Sequence, residues 1–183
     1  MKKIAILIAL LGILSGCSSE NAAPAPTVKV ISQTQTPTTQ PAATKPTLDL
    51  PNFTVMDDAG KGTELYNFAG EPIVLHFWAT EGDASAQELP IFERACTHNT
   101  NVRFLLIHVT DGVKETAEKA QEVIYYNGYT APAFYDIEGE AVFACNIESA
   151  PTTIFIDMFG HVVETVTGSM TAEELDHALE LIR

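Results

Sequence analysis

The feature of the sequence that most constrains the fold is the run Ile73–Trp78, in which His76 is the one side chain that is not bulky and apolar. A strand with one face in water alternates apolar and polar side chains, so this run indicates a strand covered on both faces. Residues 102–109 and 152–157 have a similar apolar character. The pattern predicts an α/β domain built around a largely buried sheet.

Three segments have the apolar spacing of an amphipathic helix, and shorter strands lie between them. The predicted helices are residues 84–96, 113–127 and 171–182, and the shorter strands are residues 53–55, 133–135 and 161–167. The second helix should end at Gly128. Ser85 with Glu88, and Thr171 with Glu174, have the spacing of a capping box at a helix N-terminus.

Composition excludes several classes of function. Hydrophobic residues make up 46% of the 183 residues, which is enough for a core. The net charge is −14, from 10 Lys and Arg against 24 Asp and Glu. Nucleic-acid binding is not expected, because neutralising phosphates requires clustered cations. The three cysteines are too few for a disulfide scaffold, and the five histidines form no close group, so neither a metal nor a cofactor is expected.

The N-terminus has the pattern of an export signal. Lys2 and Lys3 precede an apolar stretch at 4–14, which is too short to span a bilayer, and the sequence Leu-Ser-Gly leads into Cys17. This pattern resembles a bacterial lipoprotein signal. The resemblance implies that residues 1–16 are a signal peptide and that Cys17 is acylated and becomes the mature N-terminus. The alternative is an ordinary secretory signal with a chance cysteine.

A lipidated Cys17 would make the protein an extracytoplasmic, membrane-anchored lipoprotein. Ser18 suggests the outer membrane of a two-membrane bacterium, or the outer face of the cell membrane in a one-membrane bacterium. The segment 17–47 contains five Pro and seven Thr and is expected to be a disordered tether with a reach of roughly 30 Å. Loss of Lys2 and Lys3 leaves eight cations against 24 acids, a charge of −16. We therefore expect the lipid, and not electrostatic attraction, to hold the protein at the membrane.

Residues 50–183 contain six short motifs in a fixed order: Pro51-Asn52-Phe53, Asp58-Ala59-Gly60-Lys61, Phe68-Ala69-Gly70-Glu71-Pro72, Phe77-Trp78-Ala79-Thr80, Glu88-Leu89-Pro90 and Ala150-Pro151-Thr152-Thr153. These motifs, in this order, resemble the TlpA/ResA-like family of membrane-anchored thioredoxins. The resemblance implies that residues 48–183 form a thioredoxin-like three-layer sandwich, with a central mixed sheet and an N-terminal β-hairpin. It also implies that Pro151 follows a cis peptide bond.

The reactive motif of that family is absent. Members of the family carry Trp-Cys-x-x-Cys after Phe-Trp-Ala-Thr, whereas this chain has Glu81, Gly82, Asp83, Ala84 and Ser85. Thiol-disulfide exchange requires a thiolate and a second thiol. Glycine has no side chain, and a serine hydroxyl cannot exchange with a disulfide. The sequence therefore predicts a degenerate site without catalytic residues.

Other reactive groups remain as alternatives. Cys96 and Cys145 could be buried thiols, a structural disulfide or a displaced redox pair, and the sequence does not decide among these. Ser85 could act as a nucleophile only with a histidine within hydrogen-bonding reach, and it lacks the sequence context of a hydrolase. His76 is expected to be a core histidine.

The resemblance also predicts a shallow binding groove with an acidic rim, lined by Trp78, Glu81, Gly82 and Ala150 beside Pro151. An extended protein segment could pair with the backbone there. The first hypothesis is a redox-inactive binding or accessory module, with a protein of the cell envelope as its partner. The alternatives are a divergent oxidoreductase that uses Cys96 and Cys145, and a spacer protein without a ligand.

Overall fold

A computed structural model describes residues 45–183. The predicted signal peptide, Cys17 and nearly all of the predicted tether therefore lie outside the described residues. In chain order, the elements are β1 (Thr54–Met56), β2 (Gly62–Glu64), a 3-10 helix (Leu65–Phe68), β3 (Ile73–Trp78), α1 (Asp83–His98), β4 (Arg103–Val109), α2 (Ala117–Asn127), β5 (Ala133–Asp136), α3 (Glu140–Ala144), β6 (Thr152–Ile156), β7 (Val162–Thr167) and α4 (Ala172–Leu181).

Within the described residues, the strands form one mixed sheet of seven in the order β2-β1-β5-β4-β3-β6-β7. β3 pairs in parallel with β4 and antiparallel with β6. β1 and β2 pair antiparallel, so the expected N-terminal hairpin is confirmed. All six residues of β3 are buried, as the apolar run predicts. We refer below to two opposite ends of the sheet. One lies at the C-terminus of β3 and the other at its N-terminus.

Helices cover both faces of the sheet, which confirms the three-layer sandwich. Alternate residues of β3 belong to different apolar clusters, Val74 to one and Leu75 to the other. The first cluster, here the α1 face, contains the buried apolar residues of α1, α2 and α4. The second, here the α3 face, contains Leu48, Leu65 from the 3-10 helix and Ala141 from α3. No helix among residues 45–183 has both the length and the apolar character needed to cross a bilayer.

Two helices differ from the sequence-based prediction. α2 begins at Ala117 and not at residue 113, because the Asp111 carboxylate accepts three backbone N–H groups at 113–115 and holds them in a turn. It ends at Gly128 in the left-handed conformation, as predicted. α3 was not predicted, because five residues are too few for a clear apolar period. The predicted capping box of Thr171 and Glu174 is present at α4.

The last residues of the predicted tether already contact the domain. Lys45 Nζ donates to the Asn67 carbonyl at 2.6 Å, and Asp49 N–H donates to the Gly160 carbonyl at 2.8 Å. Leu48 between them is 4% exposed. Gly160 has φ of 95°, and a Cβ there would lie 2.3 Å from the Thr47 carbonyl oxygen. This close approach fixes the start of the described chain against the turn between β6 and β7.

We predict that Gly160→Ala lowers the free energy of unfolding by at least about 2 kcal/mol, because it combines backbone strain with a clash against a backbone atom. Gly128→Ala is the matched control, since Gly128 also has a positive φ, of 67°, but nothing lies within 4 Å of the added Cβ. Gly128→Ala should lower the free energy of unfolding by only about 1 kcal/mol. Denaturant unfolding of both variants tests this, and equal losses would show that the contact with Thr47 is not tight.

Candidate functional site

The residues of the predicted site meet at the C-terminal end of β3. Phe77 in β3 pairs with Thr152 in β6, so the loop after Trp78 and the segment before Thr152 leave the sheet at the same edge. The peptide bond between Ala150 and Pro151 is cis, as the family resemblance implied. Among the described residues, neither the N–H nor the C=O of Ala150 has a hydrogen-bonding partner. This backbone is therefore available to an incoming strand.

Gly82 is the N-cap of α1 and has φ of 104° and ψ of 140°. A residue with a Cβ adopts this conformation only with strain. Residues 81–84 are exposed, and no described side chain caps the helix. The position that resembles that of the attacking cysteine is thus occupied by a residue whose role is conformational, beside the exposed carboxylates of Glu81 and Asp83.

Ser85 and Glu88 do not form the predicted capping box. α1 starts two residues before Ser85, which therefore lies inside its first turn. Ser85 is 2% exposed, and its Oγ accepts a hydrogen bond from Ala79 N–H at 3.2 Å. Among the described residues, no histidine is hydrogen-bonded to Ser85, and the geometry offers no base for a nucleophilic serine.

Glu88 points instead across the groove between α1 and the loop before α4. One carboxylate oxygen, Oε1, accepts a hydrogen bond from Met170 N–H at 2.6 Å, and the side chain is almost fully buried. The other oxygen, Oε2, is buried without a partner among the described residues. Burial raises the pKa of Glu88 to about 7, although the Met170 hydrogen bond acts to lower it. Glu88 therefore changes charge close to neutral pH.

A second carboxylate, that of Glu115, holds the site loop from the other side. Its oxygens accept hydrogen bonds from the backbone N–H groups of Thr80 and Glu81, both at 2.7 Å, and from the Thr80 hydroxyl. His108 Nε2 lies 2.8 Å from Glu115 Oε2. Burial acts to raise the pKa of Glu115, but these hydrogen bonds outweigh it and leave the pKa below its ordinary value. Sequence reasoning missed Glu115, since 35 residues separate it from Thr80.

Trp78 does not line the groove as predicted. Its ring is fully buried in the cluster on the α1 face, where it contacts His108 edge to face with a centroid distance of 5.0 Å. Burial lowers the pKa of His108, and the neighbouring Glu115 only partly opposes this. The physical reason is that Trp78 still belongs to the doubly covered strand. The exposed rim consists of residues 81–84 with the half-buried Ala150, while Pro151 is buried.

Cys96 and Cys145 cannot form the disulfide or the redox pair that the sequence left open. Cys96 packs on the α1 face of the sheet, whereas Cys145 packs on the α3 face. Within residues 45–183, both are free thiols. Burial raises the pKa of both thiols, that of Cys145 to about 12, with nearby carboxylates acting in the same direction. Both groups are poor nucleophiles at neutral pH.

His76 is a core histidine, as expected. It is fully buried, its Nδ1 lies 3.0 Å from Thr153 Oγ1, and its ring stacks on Phe92. Burial lowers its pKa to about 3, so the ring is neutral. Among the described residues, no three His, Cys, Asp or Glu side chains come together as a metal site.

The fold and the site define a thioredoxin-like protein in which Gly82 and Ser85 lie at the start of the first long helix, α1. The chain belongs to the AhpC/TSA family, whose sequence pattern matches residues 46–165. It is similar to the thiol-disulfide oxidoreductase ResA of Bacillus subtilis (strain 168), with 28% identity over 74% of each chain. It is also similar to ResA of Geobacillus kaustophilus (strain HTA426), with 30% identity over 73% of this chain and 75% of that one.

Solved structures share the fold. StoA from Bacillus subtilis superposes with a TM-score of 0.61 and 24% identity, covering 70% of this chain and 96% of that one. The exposed lipoprotein thioredoxin of Streptococcus pneumoniae strain TIGR4 gives a TM-score of 0.60 and 26% identity, covering 72% of this chain and all of that one. The predicted family resemblance and the thioredoxin-like fold are thus confirmed.

The raised pKa of Glu88 predicts a pH-dependent stability. A carboxyl group whose pKa is near 4.5 unfolded and about 7 folded stabilises the fold below pH 4.5 and loses that contribution as the pH rises through 7. Glu88→Gln keeps the hydrogen-bond acceptor and should remove this loss. Its stability relative to wild type should therefore rise between pH 5 and 8, by at most about 3 kcal/mol.

Thermal unfolding across this pH range measures the effect, with the exposed Glu180→Gln as control. The control should follow the wild-type curve. A parallel shift of Glu88→Gln at every pH would mean that Glu88 does not titrate in the folded protein over this range.

The Glu115 network predicts a separate effect on the loop. Glu115→Gln replaces one accepting oxygen with an NH2 group, which cannot accept from the Thr80 or Glu81 backbone. We expect the free energy of unfolding to fall by about 1–3 kcal/mol. Amide hydrogen exchange at Thr80 and Glu81 should become faster. The exposed Glu122→Gln in α2 is the control and should leave both measurements unchanged. Unchanged protection at these two amides in Glu115→Gln would contradict the assigned role.

Proposed function

We propose that this chain is a lipid-anchored, extracytoplasmic thioredoxin-like module that binds an extended protein segment and does not exchange disulfides. The observation that carries the proposal is the state of the two positions that resemble reactive cysteines. Gly82 has a positive φ and begins α1, and Ser85 is buried, with its Oγ accepting a hydrogen bond from Ala79 N–H. Both residues stabilise the loop, and neither provides a group that can attack sulfur.

The binding half of the proposal is supported by the backbone beside Pro151. Ala150 presents an N–H and a C=O that have no partner within residues 45–183, next to the exposed first turn of α1. Edge pairing requires these main-chain groups and no side-chain chemistry. Glu81 and Asp83 are exposed at the rim, so a segment with basic side chains is the partner that this charge favours.

The anchoring half of the proposal rests on the sequence from Lys2 to Cys17, which resembles a lipoprotein signal. One structural relative is described as an exposed lipoprotein thioredoxin, and this chain has a similar fold. We place the module outside the cytoplasm on this basis, as an accessory to a protein of the cell envelope.

The proposal predicts no turnover in an insulin-reduction assay on the purified full chain, with the Bacillus subtilis ResA relative as the positive control. Alkylation trapping in cells should find Cys96 and Cys145 as thiols under both oxidising and reducing growth. Turnover that is lost in Cys96→Ala or Cys145→Ala would overturn the claim of inactivity.

Binding is tested by placing a photo-crosslinking amino acid at Ala84 or at Ser149, which are exposed on the two sides of the groove. One and the same protein should crosslink from both positions in cells. It should not crosslink from Tyr126, which is 79% exposed on α2 and serves as the control. Crosslinks that are equally strong from all three positions, or absent from both groove positions, would argue against a specific ligand at this edge.

A further inference from the structure

The start of the described chain and the candidate site lie at opposite ends of the sheet. The site follows the C-terminus of β3. β6 runs antiparallel to β3, with Ile156 opposite Ile73, so the turn at 157–161 lies at the N-terminal end of β3. β3 has six residues, and the two ends are therefore separated by about 20 Å.

The chain enters the domain at this far end, here called the tether end. Lys45 bonds to Asn67, and Asp49 bonds to Gly160 in the turn between β6 and β7. Leu48 is buried between these contacts. Residue 45 is thus held at a defined place on the surface of the domain. A lipid anchor at Cys17 would be connected to the domain through this point.

The same turn exposes two consecutive apolar side chains. Phe159 is 63% exposed and Met158 is 46% exposed. The turn is ordered by Asp157, whose Oδ1 accepts the N–H groups of Phe159 and His161, both at 2.9 Å. Phe159 is therefore held at the tip of a rigid hairpin. Large apolar and aromatic side chains at such a position suit the boundary between lipid headgroups and acyl chains.

The charges of the two ends differ. The loops at the site end carry one exposed cation, Lys114, and the exposed Lys119 in the first turn of α2 donates to the Lys114 carbonyl. The exposed acids in these loops are Glu81, Asp83, Asp111, Glu138 and Glu148. At the tether end, Arg103 forms an ion pair with Glu71 at 2.9 Å, and His161 lies 3.4 Å from Asp49. Lys45 and Arg183 add positive charge there. The acids outnumber the cations more at the site end than at the tether end, so an anionic surface repels the site end more strongly.

We propose that the tether end is the surface of the domain that rests on the lipid bilayer, with Met158 and Phe159 entering the headgroup region. This inference rests on the lipid anchoring proposed above. Two side chains cannot hold a soluble domain on a membrane by themselves, but a covalent tether keeps their local concentration high. In this orientation the groove at Ala150 faces away from the membrane, toward partners in the surrounding compartment.

The test uses the full lipidated protein in vesicles of brominated phosphatidylcholine and phosphatidylglycerol, with Phe159→Trp compared with Phe143→Trp. Phe143 is the matched control, because it is 88% exposed on α3, which connects two strands at the site end. Trp78 is fully buried and adds the same background to both variants. Bromine quenching of the added indole should be several-fold stronger for Phe159→Trp. If that variant fails to fold, Met158→Trp replaces it.

Flotation of wild type and Cys17→Ala with the same vesicles separates this inference from the anchoring proposal. If wild type floats, Cys17→Ala does not, and quenching is stronger at position 159, the inference is supported. If wild type floats but quenching is equal at both positions or stronger at 143, the proposed orientation is wrong and the proposed lipid anchoring is retained. If wild type does not float, both the anchor and the orientation are overturned.

Discussion

The rest of the structure depends on the complete burial of β3. Because its six residues pack on both faces and pair with β4 and β6, the strand cannot shift without exposing its core side chains. Its register therefore fixes both ends of the domain. The C-terminal end positions the loop 79–85 beside Pro151, and the N-terminal end meets the turn of residues 157–161 that receives the incoming chain. One strand thus determines where the proposed binding groove lies and where the proposed tether joins the domain.

The site at the end of β3 is organised by carboxylates, and this supports the proposed absence of disulfide exchange. A reactive thiol needs surroundings that favour a negative charge. Here Glu115 already occupies the backbone N–H groups of Thr80 and Glu81, and the exposed acids Glu81 and Asp83 add further negative charge. The carboxyl groups of Glu115 and Glu88 differ in their number of hydrogen-bond donors. Glu115 accepts from several donors and stays charged, whereas Glu88 has one donor and titrates near neutral pH.

The parts of the fold that follow from local pattern could be predicted from the sequence. β3 follows from its apolar run, and the capping box at Thr171 follows from a spacing of three residues. Contacts between distant residues could not be predicted. The position of Glu115 depends on the turn at Asp111 and on the register of β4, and the edge-to-face contact of Trp78 depends on His108 from a neighbouring strand. The pairing of Cys96 with Cys145 could be rejected only when the sheet was seen to separate them.

Net charge is a poor guide to how the proposed lipid-anchored protein would be oriented on a membrane. The mature chain implied by its signal sequence would carry −16, which suggests repulsion from anionic lipids. However, the repulsion between the protein and the lipid depends on which charges face the membrane. Exposed acids are concentrated in the loops at the site end. At the tether end, Glu71 is paired with Arg103, and the Asp157 carboxylate accepts two backbone N–H groups. Asp49 lies 3.4 Å from His161, which is a charge partner only when it is protonated. The same charge that opposes adsorption therefore favours one orientation, because turning the site end toward the lipid would bring its unpaired acids against an anionic surface.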